Sequence, residues 1–171
     1  MICPACGYEN IEGSDVCEMC EGSMVFASKP QPKSALEHRI WKDRIRVLAP
    51  HEPLMVTSTM PVRDVLKLLV DRSIGCVLVV DDGKLAGIFS ERDALLRLNV
   101  DAQALGHEPV SKYMTAPVES LGLDDRIVFA LHKMDIGGFR HIPVLEDGQP
   151  RGVISIRDIL RYMTTTILTA S

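Results

Sequence analysis

The sequence predicts a mixed α/β (α+β) fold made of two copies of one βαββα unit, preceded by a small cysteine-rich module. Three observations predict it. First, Gly87-Ile88-Phe89-Ser90-Glu91-Arg92-Asp93 returns at an offset of 65 residues as Gly152-Val153-Ile154-Ser155-Ile156-Arg157-Asp158, and the same offset carries Leu66 onto Leu131, Val79 onto Val144, Asp82-Gly83 onto Asp147-Gly148 and Leu95 onto Leu160. A gapless repeat over such a span marks a duplicated structural unit. Second, short apolar runs alternate with stretches of helical periodicity around each copy. Third, four cysteines stand ahead of both copies as two C-x-x-C pairs.

Those pairs are Cys3-Pro4-Ala5-Cys6-Gly7 and Cys17-Glu18-Met19-Cys20-Glu21-Gly22. Each makes a tight turn that aims two thiolates at one point, and four thiolates complete the tetrahedral shell that zinc prefers. Iron accepts the same ligand set. Disulfides or a redox-active pair are the alternatives, although the redox C-x-x-C motif belongs in a βαβ context. A segment this short has almost no core, so a metal would supply its folding energy. Its first knuckle resembles that of the zinc-ribbon family, whereas the second has Glu21 where that family usually has Gly. Residues 1–28 carry Glu9, Glu12, Asp15, Glu18 and Glu21 and no Lys or Arg. Nucleic-acid affinity rests on basic contacts to phosphate, so this acidic module suits a protein contact or a stabilising role better.

The expected organisation is a ribbon over 1–28, a linker and amphipathic helix over 29–46, and repeats over 47–106 and 107–171. Lys29-Pro30-Gln31-Pro32-Lys33 is a linker stiffened by its prolines. Ser34-Ala35-Leu36-Glu37 opens a helix with a capping box, and Leu36, Ile40, Trp41, Ile45 and Leu48 give that helix one apolar face. In the first repeat, a strand is expected over Pro53–Val56 and a helix over Pro61–Arg72. A buried strand over Cys76–Val80, the turn Asp81–Lys84, a strand over Leu85–Phe89 and a helix over Glu91–Leu98 follow. The turn is a hairpin because Asp-Gly supplies positive φ. The second repeat matches, with a strand near Val118, a helix over Asp124–Asp135, strands over His141–Leu145 and Gly152–Ile154, and a helix from Ile156. Cys76 reads as a small apolar residue of a buried strand. Residues 99–107 connect the repeats.

The repeated motif carries the chemistry. An apolar strand ends in Ser and runs straight into a helix, so a hydroxyl, free N–H groups and a carboxylate gather where a phosphate and a ribose would fit. Ser-x-x-Asp is also a capping box, which is the alternative reading. Capping alone requires neither Gly87 and Gly152 upstream nor Arg92 and Arg157 beside the acids. A Gly in a strand lets a ligand or a second backbone come close.

A net charge of −4 gives no general reason to expect a polyanionic partner. No apolar run reaches the roughly 18–20 residues of a membrane span, and the N-terminus lacks a basic-then-apolar export signal. The cysteine pattern suits a reducing cytosol. No nucleophile–base pair or Gly-rich nucleotide-cleaving loop appears, so a non-enzymatic role is expected.

Residues 47–168 resemble a tandem pair of CBS domains, named for cystathionine β-synthase, through the strand, the Asp-Gly hairpin and the twice-repeated G-h-h-S-x-x-D. The resemblance implies a pseudo-two-fold disc with two clefts for adenosyl ligands such as AMP, ADP, ATP or S-adenosylmethionine. Asp93 and Asp158 would hold ribose hydroxyls, while Ser90 and Ser155, with Arg92 and Arg157 beside the acids, would meet phosphate or ribose. Arg140 and His141 match a basic pair that the family often has, and would contact phosphate. The first repeat has Gly75 and Cys76 there, so the clefts need not bind alike, and the Asp158 cleft is expected to be the tighter. The resemblance further implies a cytoplasmic regulatory module that acts on an unidentified protein target, and a homodimer to which Leu36, Ile40 and Trp41 add apolar surface. Two other classes remain open: a nucleic-acid-associated transcriptional regulator reading through the ribbon or the basic helix, and a rubredoxin-like iron carrier.

Overall fold

The computed structural model describes residues 1–3, 6–11, 14–22, 24 and 34–169. The expected linker Lys29–Lys33 lies outside them. The chain forms two compact units: one draws on Met1–Ala49, Leu123–Arg140 and Ser155–Ser171, the other on Pro50–Gly122 and His141–Ile154.

The second unit holds two three-stranded sheets. β1 (Met55–Val56), β2 (Cys76–Asp81) and β3 (Lys84–Ser90) form one, in that order. β1 runs parallel to β2, and the helix α2 (Val62–Asp71) makes the connection that parallel pairing demands. Val62, Val65 and Leu69 of α2 are buried with Val77, Val79 and Phe89, as the helical and strand periodicities require. β2 and β3 form an antiparallel hairpin closed by Asp81 opposite Lys84. Asp82 and Gly83 take φ of 50° and 75°, the positive pair a two-residue turn needs. β4 (Leu121–Gly122), β5 (His141–Glu146) and β6 (Gln149–Ser155) form the other sheet in the same order, with Asp147 and Gly148 at φ 51° and 77°.

The same unit explains the paired glycines. The backbone of Thr115 exchanges two hydrogen bonds with Ile88 of β3 (3.1 and 2.8 Å), and His51 does the same with Val153 of β6 (3.0 and 2.9 Å). Each repeat thus lends its leading segment to the third strand of the other. A Cβ on Gly87 would stand 2.2 Å from Met114 Sδ, and one on Gly152 would stand 2.6 Å from Pro50 Cβ. Of the two uses a strand glycine permits, close approach of a second segment is the one seen.

The first closing helix, α3 (Glu91–Asp93), is short and continues as a π-helical segment over Ala94–Leu98. The connector is partly helical, with a 3₁₀ turn over Asn99–Asp101 and α4 (Ala102–Leu105).

The first unit holds α1 (Ala35–Lys42), α5 (Ile127–Gly137) and α6 (Ile156–Thr169). Ser34 caps α1 by accepting the Glu37 N–H at 3.1 Å. The helix stops earlier than its apolar stripe suggests, because Asp43 is extended and serves distant partners. Its carbonyl accepts the Ile127 N–H at 3.1 Å and its carboxylate accepts the Tyr162 hydroxyl at 2.6 Å. Ile45 and Leu48 are buried from a separate 3₁₀ turn. No helix among the described residues is long and apolar enough to cross a membrane.

Candidate functional site

At the first strand-to-helix junction, Ser90 is extended (φ −125°, ψ 168°) and caps α3. Its N–H and its hydroxyl both donate to Asp93 Oδ2, at 2.9 and 2.6 Å, and Asp93 N donates back to Ser90 Oγ at 3.4 Å. Asp93 is buried, and its other oxygen accepts the Thr115 hydroxyl at 2.8 Å, with Arg97 at 3.6 Å. Arg97 also donates to the carbonyls of Tyr113 and Met114 and to Thr115 Oγ1. The capping box is therefore real. It also presents a buried carboxylate where a polar ligand would have to compete with Thr115 and Arg97.

His141 stands with this junction. A Cβ on Gly75 would lie 2.7 Å from both Cε1 and Nε2 of the His141 ring and 3.7 Å from Glu91 Oε2, and Glu91 N donates to the Gly75 carbonyl at 3.1 Å. Gly75 is thus the space that the half-buried ring of the second repeat occupies. Arg92, the next residue of α3 after Glu91, is exposed. Opposite Ser90 in the ladder lies Cys76, whose thiol is pushed up to about 12 by burial and then by the charges of Glu91 and Asp93.

The second junction belongs to the other unit. The Ser155 N–H and hydroxyl each donate to Asp158 Oδ2 at 2.7 Å, and Arg161 reaches Asp158 Oδ1 at 3.3 Å. Asp158 is buried while Arg157 and Arg161 are exposed. The Arg140 carbonyl accepts the Ile156 N–H at 2.9 Å, the counterpart of Gly75 with Glu91. Hence Ser90, Arg92, Asp93 and His141 share one unit, while Arg140, Ser155, Arg157 and Asp158 share the other. Sequence reasoning missed Thr115, Arg97 and Arg161. The two arginines sit four and three residues after an acid on a helix, a spacing that brings side chains together and could have been read. Thr115 comes from a distant segment, which no local pattern announces.

A cleft of about 610 Å³ lies at the far end of the β2–β3 hairpin from Ser90, lined by both Asp-Gly turns and by Pro117, Val118 and Ser120.

Near the N-terminus, Cys3, Cys6, Cys17 and Cys20 place their sulfur atoms within 4.8 Å of one another. Cys3 and Cys20 are 3.7 Å apart and Cys6 and Cys17 3.6 Å. A tetrahedron with Zn–S bonds of about 2.3 Å has sulfur edges of about 3.8 Å, so the four thiols fit a metal of that size. Burial raises the Cys17 thiol, but N–H donors from Cys20, Asn10 and Met19 outweigh it and bring it to about 6. The Gly22 N–H lowers Cys20, yet burial and the neighbouring thiols drive it to about 12. A cation held among the four sulfurs would favour the thiolate form of each.

The profile of the CBS domain family matches residues 46–99 and 110–165. A CBS domain-containing protein of Arabidopsis thaliana is 30% identical over 137 residues, which cover 79% of this chain but only 25% of the plant protein. Among solved structures, a CBS-domain containing protein from Agrobacterium tumefaciens is similar with a TM-score of 0.66 at 29% identity, over 70% of this chain and 98% of that one. A CBS domain protein from Pyrobaculum aerophilum, complexed with AMP, is similar with a TM-score of 0.61 at 28% identity, over 72% and 99%.

Proposed function

The chain belongs to the CBS domain family, and from that membership we propose that it is a non-catalytic regulatory protein that binds adenosyl nucleotides at its two Ser-x-x-Asp junctions. Its organisation is a ribbon over 1–28, a linker and helix over 29–46, and repeats over 47–106 and 107–171. The observation that carries the reading is the duplicated junction itself, where a buried carboxylate, a serine hydroxyl and a helix start coincide twice. The AMP bound by the Pyrobaculum relative supports an adenine nucleotide as the ligand class.

In this reading Asp93 and Asp158 turn from their serines to the ribose diol, and the freed serine hydroxyls meet phosphate. His141 serves the first site and Arg140 the second. Arg140 carries a permanent charge, so the Asp158 site holds phosphate-bearing ligands more tightly. Regulation is linkage: the ligand favours one arrangement of the chain, and a protein target that prefers that arrangement binds better. The protein acts in the cytoplasm as a homodimer, and the ribbon carries zinc and makes protein contacts.

A thermal-shift screen over AMP, ADP, ATP and S-adenosylmethionine finds the ligand. Calorimetric titration of Asp93→Ala and Asp158→Ala then tests the sites. Each loses two charge-assisted bonds worth about 1.5–3 kcal/mol apiece, so affinity at the altered site falls more than about tenfold. Melting temperatures that drop while affinity stays at the parent value would make the boxes caps alone.

A further inference from the structure

Asn10 is 4% exposed and lies between the two cysteine knuckles. Its Oδ1 accepts the backbone N–H of Glu18 at 2.8 Å. Its Nδ2 donates to the Tyr8 carbonyl at 3.0 Å and to Cys17 Sγ at 3.4 Å. These partners fix the orientation of the amide. The Glu18 N–H can only donate and the Tyr8 carbonyl can only accept, so the NH₂ group must be the one that faces the sulfur. A buried amide aimed at a neutral thiol gains little, because a thiol sulfur is a weak acceptor, whereas a metal-bound thiolate is a charged one.

The charge of the segment gives the donor its purpose. Four thiolates around a divalent ion leave two negative charges, and residues 1–28 hold five acids and no Lys or Arg to offset them. N–H groups aimed at sulfur spread that charge. Resting on the metal reading of the four cysteines, we propose that Asn10 is an outer positioning residue of the metal site, which holds the two knuckles together and stabilises the Cys17 thiolate by hydrogen bonding. Residues of this kind, which touch a ligand rather than the ion, typically change metal affinity by about 10–100-fold.

Cobalt(II) in the full-length chain reports on it. Asn10→Asp keeps an oxygen for the Glu18 N–H but has no donor for sulfur, and Asn10→Ala removes both without adding charge. A hydrogen bond to sulfur lowers the energy of its lone pairs, so both variants should show the sulfur-to-cobalt charge-transfer band at lower energy than the parent. Zinc should pass from both to a chromogenic chelator at least about tenfold faster. A band at the parent position in Asn10→Asp reduces Asn10 to a clamp and overturns the proposal. So does a shift in Asn10→Asp with none in Asn10→Ala, because charge and not donation would then be responsible. A parent chain that takes up no tetrahedral cobalt overturns the metal reading itself, and this inference with it.

Discussion

The two Ser-x-x-Asp junctions share a motif and differ in the helix that follows and in what binds the second carboxylate oxygen. Ser90 and Asp93 open a helix that turns π-helical after three residues, and the second carboxylate oxygen is bound by Thr115 from a strand-pairing segment. Ser155 and Asp158 open the 14-residue α6, and the second oxygen of Asp158 meets the exposed Arg161. The box is set by local chemistry and so survives duplication. Its surroundings differ: Thr115 of a distant segment binds Asp93, while Arg161 of α6 itself binds Asp158. A ligand that must free the carboxylate therefore faces a different competitor at each junction.

The largest expected effect separates the two glycines. In Gly152→Ala the new methyl meets a Pro50 ring that cannot rotate away, so urea denaturation should show a loss of about 1–3 kcal/mol. In Gly87→Ala the obstacle is the Met114 thioether, a flexible chain that can choose another rotamer, and the loss should be smaller. Equal losses would mean that the crossing segments, not the side chains they carry, set the cost.

An effect of similar size tests the carboxylate partners. Thr115→Val removes a hydroxyl bound to a buried carboxylate at 2.8 Å and should cost about 1.5–3 kcal/mol. Arg161→Ala removes an exposed partner of the equivalent acid and should cost no more than about 1 kcal/mol, less still at high salt. A Thr115 variant as stable as the parent would show that Arg97 alone satisfies Asp93 Oδ1.

Local signals in the sequence located most of this architecture. Both Asp-Gly turns, both hairpins, the order βαββα and the four-cysteine cluster follow from patterns a few residues long. What escaped depends on contacts far along the chain. The strand expected near Val118 forms instead at Leu121–Gly122, where Leu121 pairs with Val144, while Val118 packs beside Cys76, Leu78 and Ile88. The apolar stripe from Leu36 to Leu48 does not stay in one helix, because Asp43 is held extended by Ile127 and Tyr162. At the site, the motif gave the acid and the serine, but not that His141 occupies the space left by Gly75. Seen in the sequence, Gly75 is a missing basic residue; in the fold it is the seat for the other repeat's imidazole.

The smallest effect is expected at Cys76, which shares its place in the repeat with His141. Where the second copy has a half-buried ring, the first has a thiol that is 8% exposed and pushed up from 9.0 to about 12. Thiolate, not thiol, attacks disulfide reagents, so Cys76 should be inert in the native protein at pH 8. With chelator present, four thiols should titrate quickly and the fifth only on denaturation. The same shift sets a sign for stability. The folded state keeps the thiol neutral where the unfolded chain would ionise it, so its contribution is complete below pH 9 and is lost as pH rises toward 12. Cys76→Ala should flatten that part of the alkaline decline while leaving stability near neutral pH lower by the packing lost. Five thiols reacting together in the native state would place Cys76 at a surface and remove the contrast with His141.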